Sequence, residues 1–130
     1  MERFFASRKA KQEFDSVFQT DKTMTHLLGC IADFFAGAFL CNALPHLLCG
    51  VQGTPFPSPF SKPRGIGDSS PLINFLWGAF NLLVGGLLLS RNPVAISLSF
   101  HFAALVVGFL ALGVQLSLHF GKVRQGRSTK

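Results

Sequence analysis

The sequence predicts an all-α integral membrane protein with three transmembrane helices, and three observations lead to this fold class. The first is composition: 48% of the 130 residues are hydrophobic and 14% are charged, whereas soluble domains carry about 25% charged residues. The second is segregation of charge, because Asp33 is the one charged residue between positions 23 and 61, and Arg91 the one between 69 and 121. The third is length, since each apolar stretch can cross a hydrocarbon core of about 30 Å.

The predicted spans cover, approximately, residues 25–49, 71–90 and 93–120. The third is longer than a bilayer requires and is expected to tilt or project. Two starts are marked by Ser70-Pro71 and Asn92-Pro93, which place a capping side chain before a proline that the first helical turn tolerates. Because only residues 90–92 separate the second and third spans, we expect a tight antiparallel hairpin there.

Both ends of the chain are charged. Residues 1–24 hold five Lys/Arg and four Asp/Glu, and a helical repeat of apolar residues runs through them: Ala6, Ala10, Phe14, Val17 and Phe18. This pattern suits an amphipathic helix that lies on the membrane surface before the chain turns inward, and a solvated tail is the alternative. Residues 121–130 carry four cations and no acid, so we expect a disordered tail against anionic headgroups.

The first connection, residues 50–70, is rich in proline and phenylalanine, and we expect it to lie at the membrane interface. Lys62, Arg64, Gly65 and Gly67 precede the second span. Cations and flexible backbone donors before a helix N-terminus suit an anion such as a lipid headgroup phosphate. A flexible loop with ordinary interfacial cations is the alternative.

Polar residues inside the spans are costly in lipid, so they usually face a bundle interior. Helical spacing puts them on faces shared with small residues, a pattern typical of closely packed transmembrane helices. The faces are His26, Cys30, Asp33, Gly37 and Cys41 in the first span, Asn74, Gly78, Asn81 and Gly85 in the second, and His101, Ala104, Gly108, Gln115 and His119 in the third.

Depth along each span divides these residues into two predicted layers. At 1.5 Å per residue, Asp33, Asn81 and His101 all lie roughly 12–14 Å from the same membrane face. We therefore predict one polar layer from these three residues. A second layer near the opposite face would contain Asn42, His46, Asn74, Gln115 and His119.

Two interpretations of the first layer stay open. Asp33 and His101 could form a proton-relay pair, because a carboxylate beside imidazole stabilises the imidazolium. Alternatively, their hydrogen bond only fixes helix register. Haem ligation by His46 and His119 is a further, weaker alternative.

Catalytic signatures are absent from the sequence, which has no G-x-S-x-G, H-E-x-x-H or P-loop motif. Cys30, Cys41 and Cys49 all fall in the first span, and their odd number argues against a disulfide framework. We therefore predict no catalytic residue, no metal and no cofactor. The net charge of +6 comes from cations that flank the spans, where anionic lipid accounts for them without nucleic acid.

The sequence thus predicts a non-enzymatic subunit or assembly partner in the membrane, as a homo-oligomer or within a larger complex. The alternatives are a small transporter or proton-conducting oligomer that uses Asp33 and His101, and a haem- or lipid-handling enzyme component. The bacterial inner membrane is the expected location. Membrane orientation is not predicted, because Lys and Arg residues number six on each side.

Overall fold

A computed structural model describes the backbone of residues 2–128 and the side chains of residues 11–128. The chain forms three helices, α1 (Glu2–Val51), α2 (Pro71–Arg91) and α3 (Phe100–Ser128). Between the first two helices, strands β1 (Phe56–Pro57) and β2 (Asp68–Ser69) form a short antiparallel pair. The all-α class is confirmed, and all three helices are long and apolar enough to cross a membrane.

Helix α1 is the centre of the bundle. It packs against both α2 and α3, whereas α2 and α3 hardly touch each other. The residues buried at these contacts are small or polar, among them Ala36, Ala43, Asn74 and Asn81, while many large apolar side chains are exposed. Close approach of backbones, rather than burial of large side chains, therefore holds the helices together.

The α1–α2 interface uses the face of α2 that the spacing predicted, since its buried residues are Asn74, Gly78, Asn81 and Gly85. A Cβ atom at Gly78 would lie 2.7 Å from the backbone nitrogen of Leu47 on α1. No side chain fits at that distance. Because Gly78 has no side chain, α1 and α2 can approach this closely.

The α1–α3 interface is built from two reciprocal glycine contacts. Gly37 of α1 lies against the carbonyl of Leu105, and Gly108 of α3 lies against the carbonyl of Phe34. At both glycines an added Cβ would overlap the oxygen of the opposite helix. This crossing has no room for any larger residue.

The start of α3 differs from the prediction. The helix begins at Phe100 and not at Pro93, so residues 92–99 form a connection and the expected tight hairpin is wrong. The hydroxyl of Ser99 accepts a hydrogen bond from the N–H of Phe102 and so caps the new start. Asn92 ends α2, and its backbone N–H donates to the carbonyl of Leu88.

The N-terminal segment also differs, because α1 is one continuous helix. Residues 1–28 contain no glycine or proline to break it, so the chain does not turn at residue 25. Phe14 and Phe18 are exposed and stack on each other with ring centroids 6.3 Å apart. The side chains of Ala6 and Ala10, also part of the predicted apolar face, lie outside the described residues.

The predicted disordered tail is wrong for residues 121–128, which continue α3. Arg127 on this last turn donates to both carboxylate oxygens of Asp68, each at 2.9 Å, and to the carbonyl of Ile66. The end of α3 is therefore held by the first connection. Residues 129–130 lie outside the described part of the chain.

Candidate functional site

The most tightly organised polar group joins all three helices at one end of the bundle. The carboxylate of Asp33 is fully buried. Its Oδ2 atom accepts hydrogen bonds from Nδ1 of His101 at 2.6 Å and from Nδ2 of Asn92 at 2.8 Å. We call Asp33, Asn92 and His101 the acid–imidazole cluster.

The structure brings Asp33 and His101 together but places Asn81 elsewhere. His101 is the second residue of α3 because the helix begins late, so the cluster lies where α2 ends and α3 begins. Asn81 is ten residues before the end of α2, roughly 15 Å along the helix axis. The predicted common depth assumed that the third span begins at Pro93. Asn92 was predicted to cap the start of the third span and not to join this group, whereas in the structure it ends α2 and its side chain bonds Asp33.

Two more α1 side chains border the cluster. His26 and Cys30 precede Asp33 on the same helical face, and Sγ of Cys30 lies 3.8 Å from Nδ1 of His26 and 3.9 Å from Nδ1 of His101. The two imidazole rings are 4.6 Å apart between centroids. Gly29 permits this approach, because a Cβ atom there would lie 2.8 Å from Cε1 of His101.

Farther along the α1–α2 interface, Asn81 pairs with a residue of the predicted second layer. Nδ2 of Asn42 donates to Oδ1 of Asn81 at 3.0 Å, and Nδ2 of Asn81 donates to the carbonyl of Trp77 at 2.7 Å. This amide pair therefore fixes α2 against α1.

The next polar group connects the helices to the first connection. Nδ1 of His46 donates to Oδ1 of Asn74 at 2.8 Å. Nδ2 of Asn74 lies 3.0–3.1 Å from three carbonyl oxygens, those of Phe56, Ser69 and Ser70. Asn74 is fully buried and is the point at which α1, α2 and the connection meet.

The remaining members of the predicted second layer lie apart from these pairs. Nε2 of His119 donates to the carbonyl of Gly65 at 2.8 Å and holds the connection against α3. His46 and His119, considered above as haem ligands, are thus each bonded to a separate protein partner. Gln115 is exposed, and its amide makes no hydrogen bond within the described part of the chain.

The glycines of the predicted anion site serve the fold of the connection. The N–H of Gly65 donates to the carbonyl of Ser58, and that of Gly67 donates to the carbonyl of Pro63. Gly65 has a φ of 68°, which a residue with a Cβ rarely adopts. These backbone donors are not open to an anion, whereas Lys62 and Arg64 are exposed.

A groove of about 280 Å³ runs between α2 and α3, with α1 as its floor. Its lining includes Phe39, Asn42, Trp77, Asn81 and Gln115. The Nε1 atom of Trp77 is buried and has no hydrogen-bond partner within residues 11–128. The groove therefore combines apolar walls with the exposed amide of Gln115, which makes no hydrogen bond within residues 11–128.

The fold and these contacts define an all-α chain whose three long apolar helices are joined through small-residue contacts and buried polar pairs. No protein-family model, curated protein or solved structure matches the chain. The functional conclusion therefore depends on the geometry of the chain itself.

Proposed function

We propose that this protein is a non-enzymatic, multi-pass subunit of a membrane complex, with α1, α2 and α3 crossing the plasma membrane of a bacterium. The length and apolar composition of the three helices support this, as do the exposed Leu, Phe and Val side chains along α2 and α3. Lys62, Arg64 and the cations at the end of α3 then contact anionic headgroups.

The observation that carries the proposal is the groove between α2 and α3. In hydrocarbon, the exposed Gln115 amide can gain a hydrogen bond only from another protein segment. Two helices that hardly touch leave space between them, and a further transmembrane helix fits such a space. That helix belongs to a second copy of this chain or to a different subunit.

Replacing Gln115 with leucine should weaken this association roughly 3- to 18-fold, because interhelical hydrogen bonds in membranes contribute about 0.6–1.7 kcal/mol. The measurement is native mass spectrometry of the protein purified from its own membranes in mild detergent. A complex whose mass is a whole-number multiple of the chain mass would identify a second copy. A complex with an additional, different mass would identify another subunit.

Val114→Leu is the matched control, since Val114 is exposed on α3 but does not line the groove. It should leave the association unchanged. Recovery of the wild-type protein as a single chain, or equal weakening by both variants, would contradict the proposal.

Proton conduction is a second candidate function, and the 2.6 Å contact between Asp33 and His101 favours it. Asp33→Asn should then abolish pH-driven proton flux in proteoliposomes, because an amide cannot exchange a proton with the imidazole. Asp68→Asn, outside the helices, should conduct normally. Equal flux through wild-type protein and Asp33→Asn would exclude this function.

A further inference from the structure

We propose that His26, Cys30 and His101 bind one divalent transition-metal ion of the zinc class, with Asp33 as the carboxylate that orients His101. The proposal goes beyond the assembly function and does not depend on it. One ring nitrogen of each histidine and Sγ of Cys30 lie within 4.8 Å of one another.

The observed separations are close to those of a metal site. With Zn–N bonds of about 2.0 Å and a Zn–S bond of about 2.3 Å, tetrahedral ligands lie about 3.5 Å apart. Sγ of Cys30 lies 3.8 Å from Nδ1 of His26, and a ring nitrogen of His101 lies within 4.8 Å of the sulfur. Rotations about the side-chain bonds would bring the three ligand atoms to that spacing.

The three ligands are held on rigid elements. His26 and Cys30 are four residues apart on α1 and so face the same side of the helix. His101 cannot move away freely, because Asp33 bonds its Nδ1 atom. A carboxylate bonded to one imidazole nitrogen is the usual support of a metal-bound histidine, and it leaves the other nitrogen free for the metal.

A second observation also favours a cation at this cluster. The Oδ1 atom of Asp33 is buried and has no hydrogen-bond partner within residues 11–128. A buried carboxylate with an unpaired oxygen is costly unless positive charge lies nearby. One thiolate and one carboxylate together balance the two charges of a divalent ion.

The donor types select the class of metal. Imidazole and thiolate favour zinc and neighbouring transition metals over magnesium or calcium, which prefer oxygen ligands. On binding, the Cys30 sulfur forms a bond to the metal and releases its thiol proton to solvent. His26 is exposed at the end of the bundle, so an ion can enter from outside it.

The test uses the full chain, stripped of metal and titrated in detergent with Co²⁺ as the probe. We expect one Co²⁺ per chain, with the visible absorption of tetrahedral cobalt and a thiolate-to-cobalt charge-transfer band. Cys30→Ser should lose the charge-transfer band. Asp33→Asn should keep the band but weaken Zn²⁺ binding roughly 10- to 100-fold.

Two further variants keep the result decisive. Cys30→His supplies a nitrogen ligand at the same position, so it should bind Co²⁺ without the charge-transfer band, even if Cys30→Ser folds poorly. Cys49 lies near the C-terminal end of α1, so Cys49→Ser should bind Co²⁺ as the wild-type protein does. A wild-type protein without the band, a band that survives Cys30→Ser, or a band lost in Cys49→Ser would overturn the proposal.

Discussion

Replacing Gly108 with alanine should separate α3 from α1 and lower the free energy of unfolding by about 3 kcal/mol or more. The added Cβ would overlap the carbonyl oxygen of Phe34, which belongs to the backbone of α1 and cannot rotate aside. Overpacking of a core commonly costs about 1–3 kcal/mol, and contact with backbone belongs at the upper end. Because α3 hardly touches α2, that helix would not hold it in place.

The measurement is SDS-induced unfolding in detergent micelles, followed by circular dichroism. Gly37→Ala, on the opposite side of the same crossing, should have a similar effect. Gly86 is the matched control, because nothing lies within 4 Å of a Cβ added there. Gly86→Ala should be neutral or stabilise by up to about 1 kcal/mol. Equal losses in Gly86→Ala and Gly108→Ala would show that helix crossing is not the cause.

Replacing Asn74 with leucine should release the connection between α1 and α2 and destabilise the protein by about 3–5 kcal/mol. The substitution leaves the imidazole N–H of His46 and the carbonyl groups of Phe56 and Ser69 without their buried partner. Each such loss typically costs about 1–3 kcal/mol. Thermal unfolding measures the loss of stability, and trypsin cleavage after the exposed Arg64 measures the loosening of the connection.

Asn81→Leu is the control on the same face of α2. Asn81 bonds one α1 side chain and a carbonyl of its own helix, and it does not contact the connection. We therefore expect a smaller loss of stability and a wild-type rate of cleavage after Arg64. If Asn74→Leu and Asn81→Leu were cleaved equally fast, Asn74 would not be what holds the connection.

The buried face of α2 could be predicted from sequence because it is a local property. Small and polar residues at positions 74, 78, 81 and 85 share one side of any helix that contains them, whatever its neighbours are. The same holds for His26, Cys30 and Asp33 on α1. Helical periodicity alone therefore identifies which residues share a face of each helix, but it does not identify the residues that this face contacts.

The contacts that depend on where a helix begins could not be predicted from helical periodicity. Both Pro93 and Ser99 are acceptable start signals for α3, and the choice between them moves His101 by about 10 Å along the helix axis. The later start places Asp33 and His101 together where α2 ends, and it leaves Asn81 outside their group. The hydrogen bonds of Asn74 to the connection join residues far apart in sequence, and no local pattern encodes them.

The unbroken course of α1 gives the protein a lever. The helical residues before His26 rise roughly 35 Å beyond the acid–imidazole cluster, at 1.5 Å per residue. Their described side chains, from residue 11 onward, are exposed. A tilt of about 10° in α1 would swing the far end of this arm by about 6 Å. His26 and Cys30 lie at the base of this arm, and His101 lies on a different helix. A metal ion bound by all three would therefore restrain the tilt of α1 and so the position of its far end.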